Sequence, residues 1–264
     1  MGANNCRAVK VIDIKALGLS SPGEEIVELK LEYPDWKPGW RAGQFVMIRP
    51  LSWPLDLVWG RPFSICNADD SSLTILFQVV GRGTERLMEL KEGDKVNVWG
   101  PLGTFFSKPA DRPVLMLAGG MGLAPFCGYV DTHSQPENLK LFFAHRPPLE
   151  NYPYKNLSEK VEVEDIRETK PEDIQSIIAR VEELVKEYAE KDGLVTACGP
   201  MPFLRTVWNA AKKYGADAEL SLENRMACGV GACLGCVAKD DEGHHTQVCT
   251  TGPVFKATEL SLEG

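Results

Sequence analysis

The chain has 264 residues, with 44% hydrophobic and 25% charged residues, the balance of a soluble globular protein of one large domain or two modest ones. A formal net charge of −8, with no clustering of Lys and Arg, excludes a nucleic-acid backbone as the expected partner. No window approaches about eighteen consecutive apolar residues, the N-terminal "MGANNCRAVKVIDIKALG" lacks the apolar core of a signal peptide, and Cys6 stands where myristoylation needs Ser or Thr. A cytoplasmic protein with no membrane partner is expected, and in a reducing compartment its eight cysteines are not read as four disulfides.

From Arg7 to Trp99 the chain reads as short strands. "CRAVKVIDIKAL", "EEIVELKLEY", "GQFVMIRP", "RPFSICNA", "SLTILFQVV" and "DKVNVWG" are rich in Val, Ile, Leu and Phe, and Gly, Pro, Asp and Asn separate them. Such strands with no convincing helix predict a small antiparallel barrel or sandwich, and "TERLMELKEG" adds one or two helical turns. The rhythm changes at Pro113. "RPVLMLAGG", "LKLFFAH", "DGLVTACGP" and "ADAELSLE" read as strands. Ile174, Ile177, Ile178, Val181, Leu184, Val185 and Tyr188 have helical spacing, with Thr169 and Glu172 as the expected capping box. "PFLRTVWNAAKKYG" reads as a further helix closed by Gly215. Strands alternating with helices predict a parallel sheet. The multidomain α+β reading therefore divides into a β-barrel over 1–108, an α/β nucleotide-binding domain over 109–220, and a small Cys-rich region over 221–264.

That last region carries the strongest signal. Cys228-x4-Cys233-x2-Cys236-x12-Cys249 has the order of a plant-type [2Fe–2S] ligand set. Three ligands on one tight loop must point inward around a cluster, and Gly229, Gly231 and Gly235 are expected to supply the positive φ this needs. A structural zinc site and metal-free buried cysteines are the alternatives. Zinc sites pair two short knuckles, however, and a loop this rich in glycine makes a poor knuckle. His244 and His245, in "DDEGHH", are read as a solvated turn rather than as ligands.

Three short motifs lie in the barrel: "GRPFSI", with Arg61, Pro62, Phe63, Ser64 and Ile65; "VGRGTERL", with Gly81, Gly83 and Thr84; and "GPLG" at 100–103. Two more end strands of the α/β region, "LAGGMGLAPF" with Gly119, Gly120 and Gly122, and "ACGPMPF" with Cys198. Strand, glycine-rich turn, helix is the geometry that sets backbone N–H groups against a pyrophosphate.

In this order and at these separations, the barrel motifs resemble the flavin-binding barrel of the ferredoxin–NADP reductase superfamily. With "SLENRMACGVGACLGCVAK" and the "GPVF" that follows Cys249, the chain resembles the electron-transfer subunits of class 1B dihydroorotate dehydrogenase. The resemblance implies an oxidoreductase subunit of pyrimidine biosynthesis. It would relay electrons between NAD(H), FAD, a [2Fe–2S] cluster and an FMN-containing catalytic subunit, in a hetero-oligomer. It implies that Arg61 neutralises the FAD pyrophosphate, Phe63 lies along the isoalloxazine, Ser64 bonds near the flavin N5, and Gly83 and Thr84 offer backbone donors to phosphate. Cys198 would lie beside the nicotinamide, although a buried small hydrophobe is an equal reading of that residue.

Two departures leave alternatives open. Relatives carry a Thr-Asp-Asp-Gly-Ser-like run that helps to hold the nucleotide, where this chain has "AHRPPLENYPYKNLSEKVEVEDIRETKPEDI", and Pro147 and Pro148 stiffen the turn. Either NAD(H) still binds, or the same FAD and cluster relay serves a different oxidoreductase partner with a protein donor in its place. "TTGPVF" also stands where "KDGPVF" is expected, and "LSWPLDLVWG" (51–60) is a Trp-bearing apolar loop read as loop packing or a docking surface.

Overall fold

A computed structural model describes residues 6–18, 25–35 and 39–263. The Met1–Asn5 part of the N-terminal reading lies outside the described residues. Six strands close a barrel in the order β1-β2-β5-β4-β3-β6, every adjacent pair antiparallel. They are β1 (Cys6–Leu17), β2 (Ile26–Glu32), β3 (Phe45–Pro50), β4 (Arg61–Ala68), β5 (Ser72–Gln78) and β6 (Lys95–Leu102), and α1 (Arg82–Met88) lies between the last two. Alternation explains the closure: Val27, Leu29 and Leu31 on β2, Val46 and Ile48 on β3, and Leu73, Ile75 and Phe77 on β5 point into one shared core.

The second sheet has the order β14-β11-β10-β7-β8-β9. Its parallel members are β7 (Val114–Gly119), β8 (Leu139–His145), β9 (Glu162–Arg167), β10 (Leu194–Cys198) and β11 (Asp217–Ser221). Helices α2 (Ala124–Asp131) and α3 (Tyr154–Ser158) follow β7 and β8, and α4 (Pro171–Glu190) and α5 (Met201–Tyr214) follow β9 and β10. The α4 and α5 faces share one core cluster with Leu117, Phe142 and Val195, while Phe126 and Tyr129 of α2 share the other with Met116 and Phe143. Helices therefore cover both faces of the sheet, as a parallel sheet requires.

Three details differ from the sequence reading. The strand β9, with its sequence EVEDIR, is an edge strand with no fully buried residue, so it lacks an apolar signature. The helix α4 begins at Pro171, which makes Asp173 rather than Glu172 its third residue. The Asp173 carboxylate accepts from the Thr169 N–H (2.8 Å), the Thr169 hydroxyl (2.9 Å) and the Lys170 N–H (3.1 Å). These bonds hold the carboxyl below its ordinary range. Finally, the Cys-rich region, with its hairpin β12 (Val237–Lys239) and β13 (His245–Gln247), sends β14 (Val254–Lys256) back to pair antiparallel with β11. The tail is thereby stitched into the α/β sheet.

Barrel and sheet are joined by part-buried polar links. Glu219 of β11 accepts from the Ser107 N–H (2.8 Å) and hydroxyl, and the Tyr129 hydroxyl donates to the Ser107 carbonyl (2.7 Å). Thr104, just past β6, donates its N–H to the Gly252 carbonyl (2.7 Å) and its hydroxyl to the Val254 carbonyl (2.7 Å). The "GPVF" segment thus clamps the tail to the barrel exit. No helix among the described residues is long and apolar enough to cross a membrane.

Candidate functional site

A cleft of about 980 Å³ opens between barrel and sheet. Its barrel wall includes Pro62, Phe63, Ser64 and Thr84, and its other wall includes the Gly119–Gly122 turn and the Cys198–Pro200 turn. These two turns follow β7 and β10, the adjacent strands from which the chain proceeds in opposite directions across the sheet. That is the switch point where open α/β sheets bind ligands beyond the carboxyl ends of their strands. The turns touch: a Cβ on Gly122 would lie 2.0 Å from the Cys198 carbonyl oxygen. Replacing Gly122 by alanine must push the two turns apart. It is expected to cost about 1–3 kcal/mol and to raise the KM for a nicotinamide nucleotide, checked by thermal melting and steady-state kinetics.

On the barrel wall, Phe63 packs on Phe77 at 5.7 Å, and Ser64 sits opposite Phe45 on the neighbouring strand. The Ile65 side chain, by contrast, is fully buried in the barrel core and does not face the cleft. Arg61 is brought against α1: a Cβ on Gly83 would meet its Nε at 2.7 Å, so a side chain there would displace the guanidinium. Arg61 Nη1 also donates to the Trp59 carbonyl (2.8 Å), and its guanidinium lies over the Trp53 ring at 5.5 Å. The Thr84 hydroxyl closes the turn, accepting from the Val80 and Gly81 N–H groups (2.9 and 3.2 Å). The first-turn N–H groups of Gly83 and Thr84 have no intrahelical acceptor, which leaves them for an anion beside Arg61. Pro62, Phe63, Ser64 and Thr84 line the cleft, whereas Arg61, Gly81 and Gly83 are not among its lining residues. A guanidinium and backbone donors beside an aromatic wall fit a flavin dinucleotide, and the cleft is of the size such sites occupy.

On the sheet wall, burial pushes the Cys198 thiol up to about 12, helped by the negative charge of Glu223. The thiol is therefore neutral at any working pH and serves as a small, uncharged surface. Glu223 itself was not singled out by the sequence. It stands open to the cleft just past β11, where surrounding protein raises its carboxyl above the ordinary range. Arg225 and Met226 line the cleft beside it, and the cysteine loop follows directly.

The four cysteines occur as two pairs of neighbours. Cys228 and Cys233 are near enough to influence each other's ionisation, as are Cys236 and Cys249. Burial acts against ionisation of Cys228, but backbone N–H groups of Val230, Cys233 and Ala232 outweigh it and bring the thiol down to about 7. Burial first, then Cys236, pushes Cys249 up to about 12. No group of three or more His, Cys, Asp or Glu among the described residues converges as a single-ion site. The pairing of the four thiols matches the two thiolates that each iron of a two-iron cluster takes. Gly229 (φ 69°) and Gly231 (φ 82°) do turn the loop, but Gly235 does not have a positive φ, and Leu234 takes that conformation at 56°. His244 is exposed and pairs with Glu242 at 3.2 Å, away from the ligand role.

The loop is seated on the barrel. Trp99 Nε1–H donates to the Cys228 carbonyl (3.1 Å), and Gly229 lies so close to Met47 that a Cβ would meet its Cγ at 2.6 Å. Trp99 and Met47 carry no motif, so only the folded chain reveals them.

Residues 223–261 match the iron-sulfur cluster binding domain of dihydroorotate dehydrogenase B. The dihydroorotate dehydrogenase B (NAD(+)) electron transfer subunit of Caldanaerobacter subterraneus subsp. tengcongensis is 35% identical over 240 residues, covering 89% of this chain and 92% of that one. The chain belongs to this family. The electron transfer subunit of Clostridium acetobutylicum is 33% identical over 226 residues, covering 84% of this chain and 87% of that one. Among solved structures, a chain of an NADH-dependent reduced ferredoxin-NADP oxidoreductase superposes with a TM-score of 0.77 at 20% identity. It covers 96% of this chain and 90% of that one, and the likeness shows the shared fold. As an electron-transfer subunit of this family, the chain is part of an oxidoreductase. The iron–sulfur domain, the reductase-type fold and the NAD(+)-linked relatives support FAD, an iron–sulfur cluster and NAD(H) as its cofactors.

Proposed function

We propose that this chain relays electrons between NAD(H) and an FMN-containing dihydroorotate dehydrogenase subunit, through FAD and a [2Fe–2S] cluster, in the cytoplasm. The observation that carries this reading is the seating of the four-cysteine loop on the flavin barrel by the Trp99–Cys228 hydrogen bond. A one-electron centre beside a flavin makes a relay, since flavins accept electron pairs from nicotinamide and release them singly. The residues have separable tasks in this reading. Arg61 and the α1 turn hold the flavin pyrophosphate, and Phe63 and Ser64 face its ring. The Gly119–Gly122 turn receives the nucleotide pyrophosphate, and the neutral Cys198 thiol packs against the nicotinamide without placing charge on the hydride path. Cys228 and Cys233 hold one iron, and Cys236 and Cys249 the other.

Cys236 and Cys249 are buried while Cys233 is exposed, so the cluster's open side is the Cys233 edge, flanked by the exposed Val230 and Leu234. That edge faces outward to the catalytic subunit in this reading. The test is reconstitution with the FMN-containing subunit from the same source. A stable complex in which dihydroorotate reduces NAD+ only when both chains are present is expected. A complex that forms but shows no dihydroorotate-dependent NAD+ reduction would count against this partner.

A further inference from the structure

Met47 and Trp99 stand opposite each other on β3 and β6, and strand alternation sends both away from the barrel core that Ile48 and Val98 fill. Their outward side chains form the seat of the cysteine loop. The Trp99 ring is wedged against Gly60, where any Cβ would collide with it, and this close packing holds the indole in place. From there its Nε1–H donates to the Cys228 carbonyl (3.1 Å), and Met47 packs directly against the next residue, Gly229. At the far end of the same turn the Gly231 carbonyl accepts from Gln247 Nε2 (3.1 Å). Between these two anchored carbonyls, the Val230 N–H donates to the Cys228 sulfur (3.4 Å).

The Cys228–Gly229 peptide has little conformational preference of its own. Turning it over changes only ψ of Cys228 and φ of Gly229, and glycine populates positive and negative φ with similar ease. Gly229 stands at φ 69°. A trans peptide carries its C=O and N–H on opposite sides, so its orientation decides whether the carbonyl oxygen lies on the barrel side or on the other face of the loop. The indole N–H supplies the partner that fixes this choice. Resting on the reading that the four cysteines hold a [2Fe–2S] cluster, we propose that Trp99 is a positioning residue that raises the cluster's reduction potential by pinning the Cys228 carbonyl to the barrel. Reduction adds negative charge among the sulfurs. A carbonyl oxygen turned toward them repels that charge, whereas N–H groups directed at sulfur, as that of Val230 is, stabilise it. Trp99 acts through the peptide rather than on the sulfur. Because the donor belongs to the flavin barrel, the loop acquires its full electron affinity only when it is seated beside the flavin that feeds it.

The test uses the full chain with FAD and cluster loaded, titrated anaerobically with dithionite while electron paramagnetic resonance follows the reduced cluster. Trp99→Phe keeps a ring against Gly60 and removes the donor. Its iron and flavin contents are expected to match the wild type. The equilibrium constant for passing an electron to the cluster is expected to fall at least about threefold, a drop of about 30 mV in midpoint potential at about 59 mV per tenfold. Replacing Trp99 by benzothienylalanine, which keeps the indole's shape with sulfur in place of the N–H, should give the same drop. That second protein separates the hydrogen bond from the packing even where the phenylalanine variant holds iron poorly. An unchanged or raised potential in the benzothienylalanine protein overturns the inference and leaves the cluster reading intact. A wild type that binds no iron, or shows no cluster signal after dithionite, overturns both.

Discussion

Cys233→Ser is expected to strip the chain of iron and leave its flavin bound. Iron should fall from about two atoms per chain to near none, because three thiolates cannot complete a two-iron cluster. The flavin should stay, because its residues lie on β4 and α1, and the barrel core that supports them contains no residue of the cysteine loop. Iron and flavin assays on the purified variant check both halves. The variant's flavin should still be bleached by NADH, whereas delivery of electrons to the catalytic subunit should drop to background. Full retention of iron would show that Cys233 is not a ligand.

Arg61→Ala is expected to do the converse, weakening FAD while sparing the iron. The guanidinium is fixed before any ligand arrives by the Trp59 carbonyl, the Trp53 ring and the close approach of Gly83. Losing its charge-assisted bonds to a pyrophosphate should cost about 1.5–3 kcal/mol, or roughly 10- to 150-fold in Kd. Fluorescence titration of the deflavinated chain with FAD measures this directly. Arg61→Lys should recover only part of the loss, since an ammonium carries the charge but not the planar fork. Equal FAD affinity in wild type and Arg61→Ala would remove Arg61 from the site.

Much of this architecture was legible in the sequence because its signals are local. Alternation such as that of β2, Val27, Leu29 and Leu31 inward, depends only on neighbours two apart, and the α4 stripe only on neighbours three and four apart. The cysteine spacing is likewise a property of one loop. What was not legible depends on distant residues meeting. Nothing local marks Trp99 as the donor to Cys228, 129 residues later, or Glu223 as a cleft residue. The charged edge strand β9 and the three-residue β14 carry too few buried positions to show a period. The α4 cap moved by one residue because Pro171, which has no N–H to lose, takes the first helical position and shifts the capping carboxylate to Asp173. The segment after β8 left nucleotide binding open when judged by its motif. Folded, it lines the cleft with the Arg146–Glu168 ion pair, whose members are 22 residues apart.

The central claim is that a nicotinamide site, a flavin and an iron–sulfur cluster work in series on this single chain. The most direct test is the visible spectrum of the anaerobically purified chain, recorded before NADH, after NADH and after dithionite. The account predicts overlapping flavin and iron–sulfur bands that NADH bleaches together, with dithionite adding little. A colourless protein, or bands that only dithionite bleaches, would contradict it.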